Sequence, residues 1–137
     1  MKQIIFMITF FVLTNNAATS FGWTVVYFDA GTGKFGEAHD LGQGAADYRA
    51  KAICSKLSSG AGCVYVDGAK DPGFYAIAVG KATVPGPGHN FVYGIGDAMP
   101  DSIAAGEDAT FWCEDQQFVV RGSCTVLDSW KEAGVEP

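Results

Sequence analysis

The sequence carries little positive charge. Nine lysine and arginine residues stand against fifteen aspartate and glutamate residues in 137, which gives a formal net charge of −6 with neutral histidines. An acidic surface repels the phosphates of nucleic acids and of anionic membranes, so binding to either is disfavoured. The same charge can steer the protein towards a basic partner, or simply keep a small domain soluble.

The sequence patterns of common catalytic and metal sites are missing. Neither G-x-S-x-G nor H-E-x-x-H occurs, and the only histidines are His39 and His89. Zinc sites usually separate paired cysteines by about two to four residues, whereas here eight and ten residues intervene. The acidic residues lack the Asp-x-Asp spacing of calcium loops. The sequence therefore predicts no catalytic residue, no metal and no cofactor.

Long apolar runs are also missing. The apolar stretch over residues 4–13 has ten residues, about half of what a membrane-spanning helix needs. Lys2 precedes it and small polar residues follow, an order typical of a secretory signal peptide, which we predict at residues 1–20. Cleavage fits after Ser20 or after Ala18. The mature chain would carry a net charge of −7, would be periplasmic or secreted, and fits one domain.

Four cysteines in an exported chain predict disulfide bonds, because that compartment is oxidising. Cys54 and Cys63 are nine positions apart, and Cys113 and Cys124 are eleven apart. Four cysteines allow three connectivities. An internal repeat favours pairing Cys54 with Cys63 and Cys113 with Cys124.

The two halves of the chain show the same order of patterns. Residues 23–28 and 75–79 are rich in the aromatic and β-branched residues of strands, and each is followed by a turn and a return strand. Alanines four residues apart then predict a helix that ends near the first cysteine of each pair. The second cysteine of each pair opens a short apolar strand that is followed by Asp67 or Asp128. Each half therefore reads strand, strand, helix, strand.

The predicted fold is α+β, with an antiparallel sheet that carries two helices on one face. Two β-β-α-β pseudo-repeats, braced by disulfides, build one domain over residues 21–128, and residues 129–137 form a C-terminal tail. Trp130 in this tail either packs back on the domain or is exposed. The helix faces predicted to be buried consist of Ala46, Ala50, Ile53 and Leu57 in the first helix and Ala105, Ala109 and Trp112 in the second.

The cysteines and small residues of the two halves resemble those of a secreted bacterial family that is defined by the domain of unknown function numbered 4189. The resemblance spans residues 21–128, and members often carry one more cysteine before the Ala-x-Ala strand, where this chain has GFYAIA. The resemblance implies export and a disulfide-bearing fold, and it implies no activity. The matching positions are Trp23, Gly36, Ala46, Ala50, Cys54, Cys63, Ala76, Ala78, Gly94, Ala105, Ala109 and Cys113.

The function predicted from these features is binding to another protein. An inhibitor or immunity protein that neutralises a basic toxin or a cell-envelope hydrolase fits a small, acidic, exported domain. The loop over residues 84–91 is either a simple extension of a hairpin or a further recognition element, because loops on a rigid sheet often carry binding residues. The predicted partner-binding residues are Asp97, Asp101, Glu107, Asp108, Glu114 and Asp115, with His89 and Asn90 in the loop.

A secreted effector or a small enzyme is the alternative. Glu37, His39 and Asp40 lie within four residues, and His89 is distant in sequence, so an acid–base site would have to form in three dimensions. The stretch GTGKFG at residues 31–36 matches a dinucleotide-binding motif, but no helix pattern opens directly behind it. We therefore interpret that stretch as a hairpin turn.

Overall fold

The computed structural model of the protein describes residues 19–20, 22–58 and 62–133. Residues 1–18 of the predicted signal peptide lie outside the described residues. The elements in chain order are β1 (Thr19–Ser20), β2 (Trp23–Asp29), β3 (Phe35–Asp40), α1 (Gln43–Ser58), β4 (Cys63–Ala69), β5 (Gly73–Lys81), β6 (Phe91–Met99), α2 (Ser102–Glu114) and β7 (Thr125–Glu132).

The strands form two sheets, and each sheet contains the three strands of one pseudo-repeat. The first has the order β3-β2-β4 and is antiparallel. The second has the order β1-β7-β5-β6, and it is antiparallel except for the two residues of β1, which run parallel to β7. The α+β class and the repeated β-β-α-β order are thus confirmed. The stretch at residues 31–36 forms the predicted hairpin turn, where Gly33 has a φ of 75°.

The prediction of one sheet with both helices on one face is wrong, because the structure has two sheets with a core between them. The two sheets pack face to face through Val26 and Phe28 on β2 and Tyr75 and Ile77 on β5. The small residues on the opposite face of β5, such as Ala76, contact α2. Because each central strand is apolar on both faces, the helices cover opposite outer faces and the layers run helix, sheet, sheet, helix.

Small residues alone form the buried faces of the two helices. Ala46, Ala50 and Cys54 are fully buried in α1, and their counterparts Ala105, Ala109 and Cys113 are fully buried in α2. The burial predicted for Ile53, Leu57 and Trp112 is wrong, since these side chains are 41%, 55% and 48% exposed.

The physical reason is the closeness of each helix to its sheet. A Cβ atom added at Gly36 would overlap the backbone of Ala50 and Cys54, and one added at Gly94 would overlap that of Ala109 and Cys113. Each helix backbone therefore lies directly on a glycine of the strand before it. No space remains between them for a large side chain, so the large residues turn outwards.

One disulfide connects each helix to the segment that follows it. Cys54 pairs with Cys63 at the start of β4, and Cys113 pairs with Cys124 just before β7. Both predicted pairs are confirmed. No helix among the described residues is long and apolar enough to span a membrane.

The C-terminal boundary predicted at Asp128 falls inside a strand. β7 continues to Glu132, so the first residues of the predicted tail belong to the second sheet. Trp130 is 8% exposed and stacks on the ring of Tyr75 with centroids 6.0 Å apart. The domain therefore extends to Glu132, because this tryptophan completes the core between the sheets.

Candidate functional site

Apolar side chains are exposed where α2 lies beside β7. Ile103 and Phe111 on α2 are 73% and 59% exposed, and Val126 on β7 lies next to them. Together with Glu107 and Glu114 they line a shallow depression of about 530 Å³, here called the α2–β7 surface. A contiguous exposed apolar patch with a polar rim marks an interaction site more often than scattered apolar residues do.

Two of the acidic residues predicted to bind a partner instead stabilise local structure. Asp101 caps α2, and its Oδ1 accepts a hydrogen bond of 2.8 Å from the backbone N–H of Ala104. The Glu114 carboxylate accepts hydrogen bonds from the backbone N–H groups of Gly122 and Cys124 at 2.9 and 3.1 Å. These bonds lower the pKa of Glu114. Glu114 thus holds the loop that leads to β7.

The other four acidic residues do not form one cluster. Asp108 accepts a hydrogen bond from the backbone N–H of Asp97 at 3.4 Å. Glu107 is exposed on the α2–β7 surface, and Asp115 is exposed at the C-terminal end of α2. Two residues of the predicted set, Glu107 and Glu114, lie beside the apolar patch. Glu114 is held by backbone hydrogen bonds, whereas the described contacts include none to the side chain of Glu107.

Two carboxyl pairs join the two halves of the domain. Asp128 on β7 lies against Glu37 on β3, and Asp67 on β4 lies against Asp97 on β6. Burial is the largest cause that raises the pKa of Glu37 to about 7 and that of Asp67 to about 6, and it also raises the pKa of Asp97. Within each pair the two carboxyl groups repel each other when both are ionised, which adds to the effect of burial on the pKa of Glu37 and of Asp67.

The sequence repeats the aspartate that takes part in each of these pairs. Asp67 and Asp128 follow the second cysteine of each pair at the same distance in both repeats. In the structure each of them contacts an acidic residue from the return strand of the other half. The repeated aspartate is thus part of the junction between the two halves, which the sequence pattern alone did not reveal.

A chain of hydrogen bonds extends from Glu37 into the core. His39 Nε2 lies 2.9 Å from Glu37 Oε2, and His39 Nδ1 lies 2.9 Å from Thr24 Oγ1. The Thr24 hydroxyl donates its proton to Glu132, so Nδ1 of His39 must be the donor to Thr24. A further proton then lies between His39 Nε2 and Glu37, on one partner or the other.

This chain determines what the predicted Glu37, His39 and Asp40 cluster can do. Asp40 lies apart from it, since its carboxylate pairs with Arg49 at 2.6 Å. Glu37, whose pKa burial raises to about 7, can hold or release a proton near neutral pH, which is the property required of a general acid or base. That property is the support for the enzyme alternative. Sequence reasoning missed Thr24, Asp128 and Glu132, because strands distant in sequence bring them there.

A groove runs along the open side of the sandwich, between β3 and β7. Its volume is about 650 Å³, and Glu37 and Asp128 lie in its wall. The exposed Ile53 and Leu57 of α1 also line it. Both of these residues were predicted to be buried, and the groove is where they are found instead.

The carboxyl pairs predict that stability falls as the pH rises. A carboxyl whose pKa is higher in the folded than in the unfolded chain stabilises the fold fully below its unfolded pKa, and that stabilisation is lost as the pH rises through the folded value. For Glu37 the window runs from an ordinary pKa of 4.5 to about 7. We expect a loss of about 2–3 kcal/mol from this residue between pH 4 and pH 8. Urea unfolding at a series of pH values measures it.

The variant Glu37→Gln should flatten this pH dependence, because glutamine does not ionise. Glu107→Gln removes the same charge from an exposed position and serves as the matched control. Glu114 acts in the opposite direction, since its lowered pKa adds stability that is lost only as the pH falls through the folded value. An unfolding free energy of Glu37→Gln that changes with pH as steeply as that of the native protein would contradict the account.

The loop over residues 84–91 covers a second, separate cavity. His89 is exposed and, with Val84 and Phe118, lines a space of about 490 Å³. Asn90 has a structural role, since its side-chain Nδ2 donates to the carbonyl oxygen of Gly31 at 3.0 Å. The loop is therefore fixed to the β2–β3 hairpin. The structure does not bring His89 together with His39 or with the acidic residues of α2.

Among the described residues, no group of three or more histidine, cysteine, aspartate or glutamate side chains is placed to hold a metal ion. Comparison of the chain with known protein families, with curated proteins and with solved structures gave no match. The resemblance to the family numbered 4189 therefore stays a prediction.

Proposed function

We propose that this chain is an exported protein that binds another protein, as an inhibitor or immunity protein that neutralises a basic toxin or a cell-envelope hydrolase. Export is supported by the signal-peptide pattern and by the two disulfides, which persist in oxidising compartments. The resemblance to the family numbered 4189 adds export to this proposal and names no activity.

The observation that carries the proposal is the α2–β7 surface. Ile103 and Phe111 extend from the helix into solvent, and Glu107 lies between them. Aromatic side chains surrounded by a polar rim are the usual anchors of protein interfaces. A partner with an apolar residue for this depression and basic residues around it would be complementary.

The charge of the whole chain supports a basic partner. The net charge of −6 attracts a cationic protein over a distance, which speeds association and makes it dependent on salt. Rim charges contribute mainly to the association rate, whereas desolvated anchors determine how long the complex lasts. Salt should therefore weaken the complex through its formation rate, and loss of Phe111 should weaken it through its dissociation rate.

An affinity capture with matched variants tests this function. The tagged mature protein is incubated with oxidised envelope and secreted fractions, and bound proteins are identified by mass spectrometry. We expect one stoichiometric basic partner that is released at high salt. Phe111→Ser should weaken its binding by about thirtyfold, the effect of removing an interface anchor worth about 2 kcal/mol.

Tyr48→Ser is the control, because Tyr48 is 75% exposed on α1, on the opposite outer face of the domain. It removes an exposed aromatic ring of similar size and should leave the partner bound. The proposal fails if no protein is captured from either fraction, or if both variants bind the captured protein as tightly as the native chain does.

A further inference from the structure

The groove beside Glu37 lies between two strand edges. β3 is the outer strand of the first sheet, and β7 has a neighbour on its outer side only at Lys131 and Glu132, where β1 pairs with it. Residues 125–129 therefore have no strand neighbour on that side within the described part of the chain. Open strand edges of this kind can pair with an extended segment of another chain through backbone hydrogen bonds.

The groove has apolar walls and two ends of opposite charge. Phe35, Phe91 and Leu127 line it between those ends. Lys34 and Lys81 lie at one end, and Glu37 and Asp128 lie at the other. Lys34 and Glu37 are three positions apart, which corresponds to about 10 Å in an extended chain. A segment of three or four extended residues spans that distance.

The acidic end has no lysine or arginine among the residues that line it, and His39 lies beside Glu37 at Oε2 only. Glu37 Oε1 is buried and accepts no hydrogen bond while both carboxyls are ionised. A proton on Glu37 relieves its repulsion with Asp128, and a cation placed between the two carboxylates would do the same. Of the groups that line the groove, the two lysines are at the far end.

We propose that this groove binds an extended segment of the partner protein, whose lysine or arginine side chain lies between Glu37 and Asp128. This inference rests on the proposed function, since it identifies the part of the partner that the domain recognises. The segment pairs with the open edge of β7, its apolar side chains contact Phe35 and Leu127, and an acidic residue three or four positions from the cation faces Lys34 and Lys81.

Two blocked peptides test the proposal on the native mature protein. The probes are Ac-Lys-Val-Thr-Val-Glu-NH2 and the same peptide with glutamine in place of lysine, titrated into isotope-labelled protein and followed by NMR. The lysine peptide should bind with saturation, should shift the amide signals of residues 34–39 and 125–129, and should bind about tenfold more tightly than the glutamine peptide. Equal affinity of the two peptides, absence of binding, or shifts confined to other residues would overturn the inference.

A pair of double variants tests whether the acidic end of the groove causes the preference for the lysine peptide. Glu37→Gln with Asp128→Asn should reduce the affinity for the lysine peptide to that for the glutamine peptide. Asp47→Asn with Asp71→Asn removes two charges at positions that do not line the groove and should leave the affinity unchanged. If the first double variant does not fold, the comparison of the two peptides on the native protein still decides the question.

The failure of this inference and the failure of the proposed function give different results. If Phe111→Ser releases the captured partner but the lysine peptide does not bind, the domain binds its partner through the α2–β7 surface and the groove proposal is wrong. If the lysine peptide binds as expected but no partner is captured, the groove recognises extended basic segments and the inhibitor or immunity function is wrong.

Discussion

Replacing Gly94 by alanine should destabilise the protein by about 3 kcal/mol or more, the upper part of the range for overpacking. A Cβ atom at this position would overlap the backbone of Ala109 and Cys113 in α2, and it would lie 2.9 Å from the Cα of Cys113. Backbone atoms cannot move aside as the end of a flexible side chain can. The helix would have to separate from β6, which exposes the fully buried Ala105 and Ala109.

Urea unfolding of Gly94→Ala measures this loss, and two other glycines make the result specific. Gly36→Ala should cost a similar amount, because Gly36 makes the same contact with Ala50 and Cys54 in the first repeat. Gly44→Ala is the matched control. Gly44 lies in α1 with no atom within 4 Å of the added Cβ, so alanine there should be neutral or should stabilise by up to about 1 kcal/mol. Equal stability of Gly94→Ala and the native protein would mean that α2 does not lie on β6.

Removal of both disulfides should leave the chain largely unfolded. In the chain-entropy picture, closing loops of nine and eleven residues stabilises the fold by about 2.5–3 kcal/mol each. Domains of this size are stable by only about 5–15 kcal/mol in total. Cys54 and Cys113 are also fully buried between helix and sheet, so their loss removes packing as well as a crosslink.

Unfolding in urea with and without a reductant measures the disulfide contribution. Cys113→Ala with Cys124→Ala should cost about 3 kcal/mol or more, and full reduction should cost about twice as much. Treatment with an alkylating agent alone is the control, and it should change nothing because all four cysteines are paired. A reduced protein that unfolds at the same urea concentration as the oxidised one would contradict the account.

The repeated cysteine pattern is the part of the sequence that predicts the fold best. A cysteine at the end of a helix and another before the next strand can pair only if the chain turns back at that point. Two such units therefore predict both disulfides and the β-β-α-β order. The alternation of Tyr75, Ala76 and Ile77 correctly predicts which side chains share a face of β5. It does not predict that the large side chains contact the other sheet and the small one contacts α2.

Contacts between residues distant in sequence explain what sequence reasoning missed. The short distance between α2 and the sheet depends on Gly94, which lies fifteen residues before Ala109. The periodicity of the helix does not contain this information, and a prediction from periodicity alone therefore places Trp112 in the core. Glu37 and Asp128 are separated by most of the chain, and only the packing of the two sheets makes them neighbours. Pro100 followed by Asp101 is a recognisable helix start, but no pattern in α2 separates Glu114, which holds the next loop, from the exposed Glu107.

Hydrogen–deuterium exchange on the complex with the captured partner tests the central claim, which is that the second half of the domain binds another protein. The account predicts slower exchange in α2 and in residues 125–129 of β7 on binding, with α1 unchanged apart from any residues that line the groove. Protection confined to the outer face of α1, or no change in either α2 or β7, would contradict it.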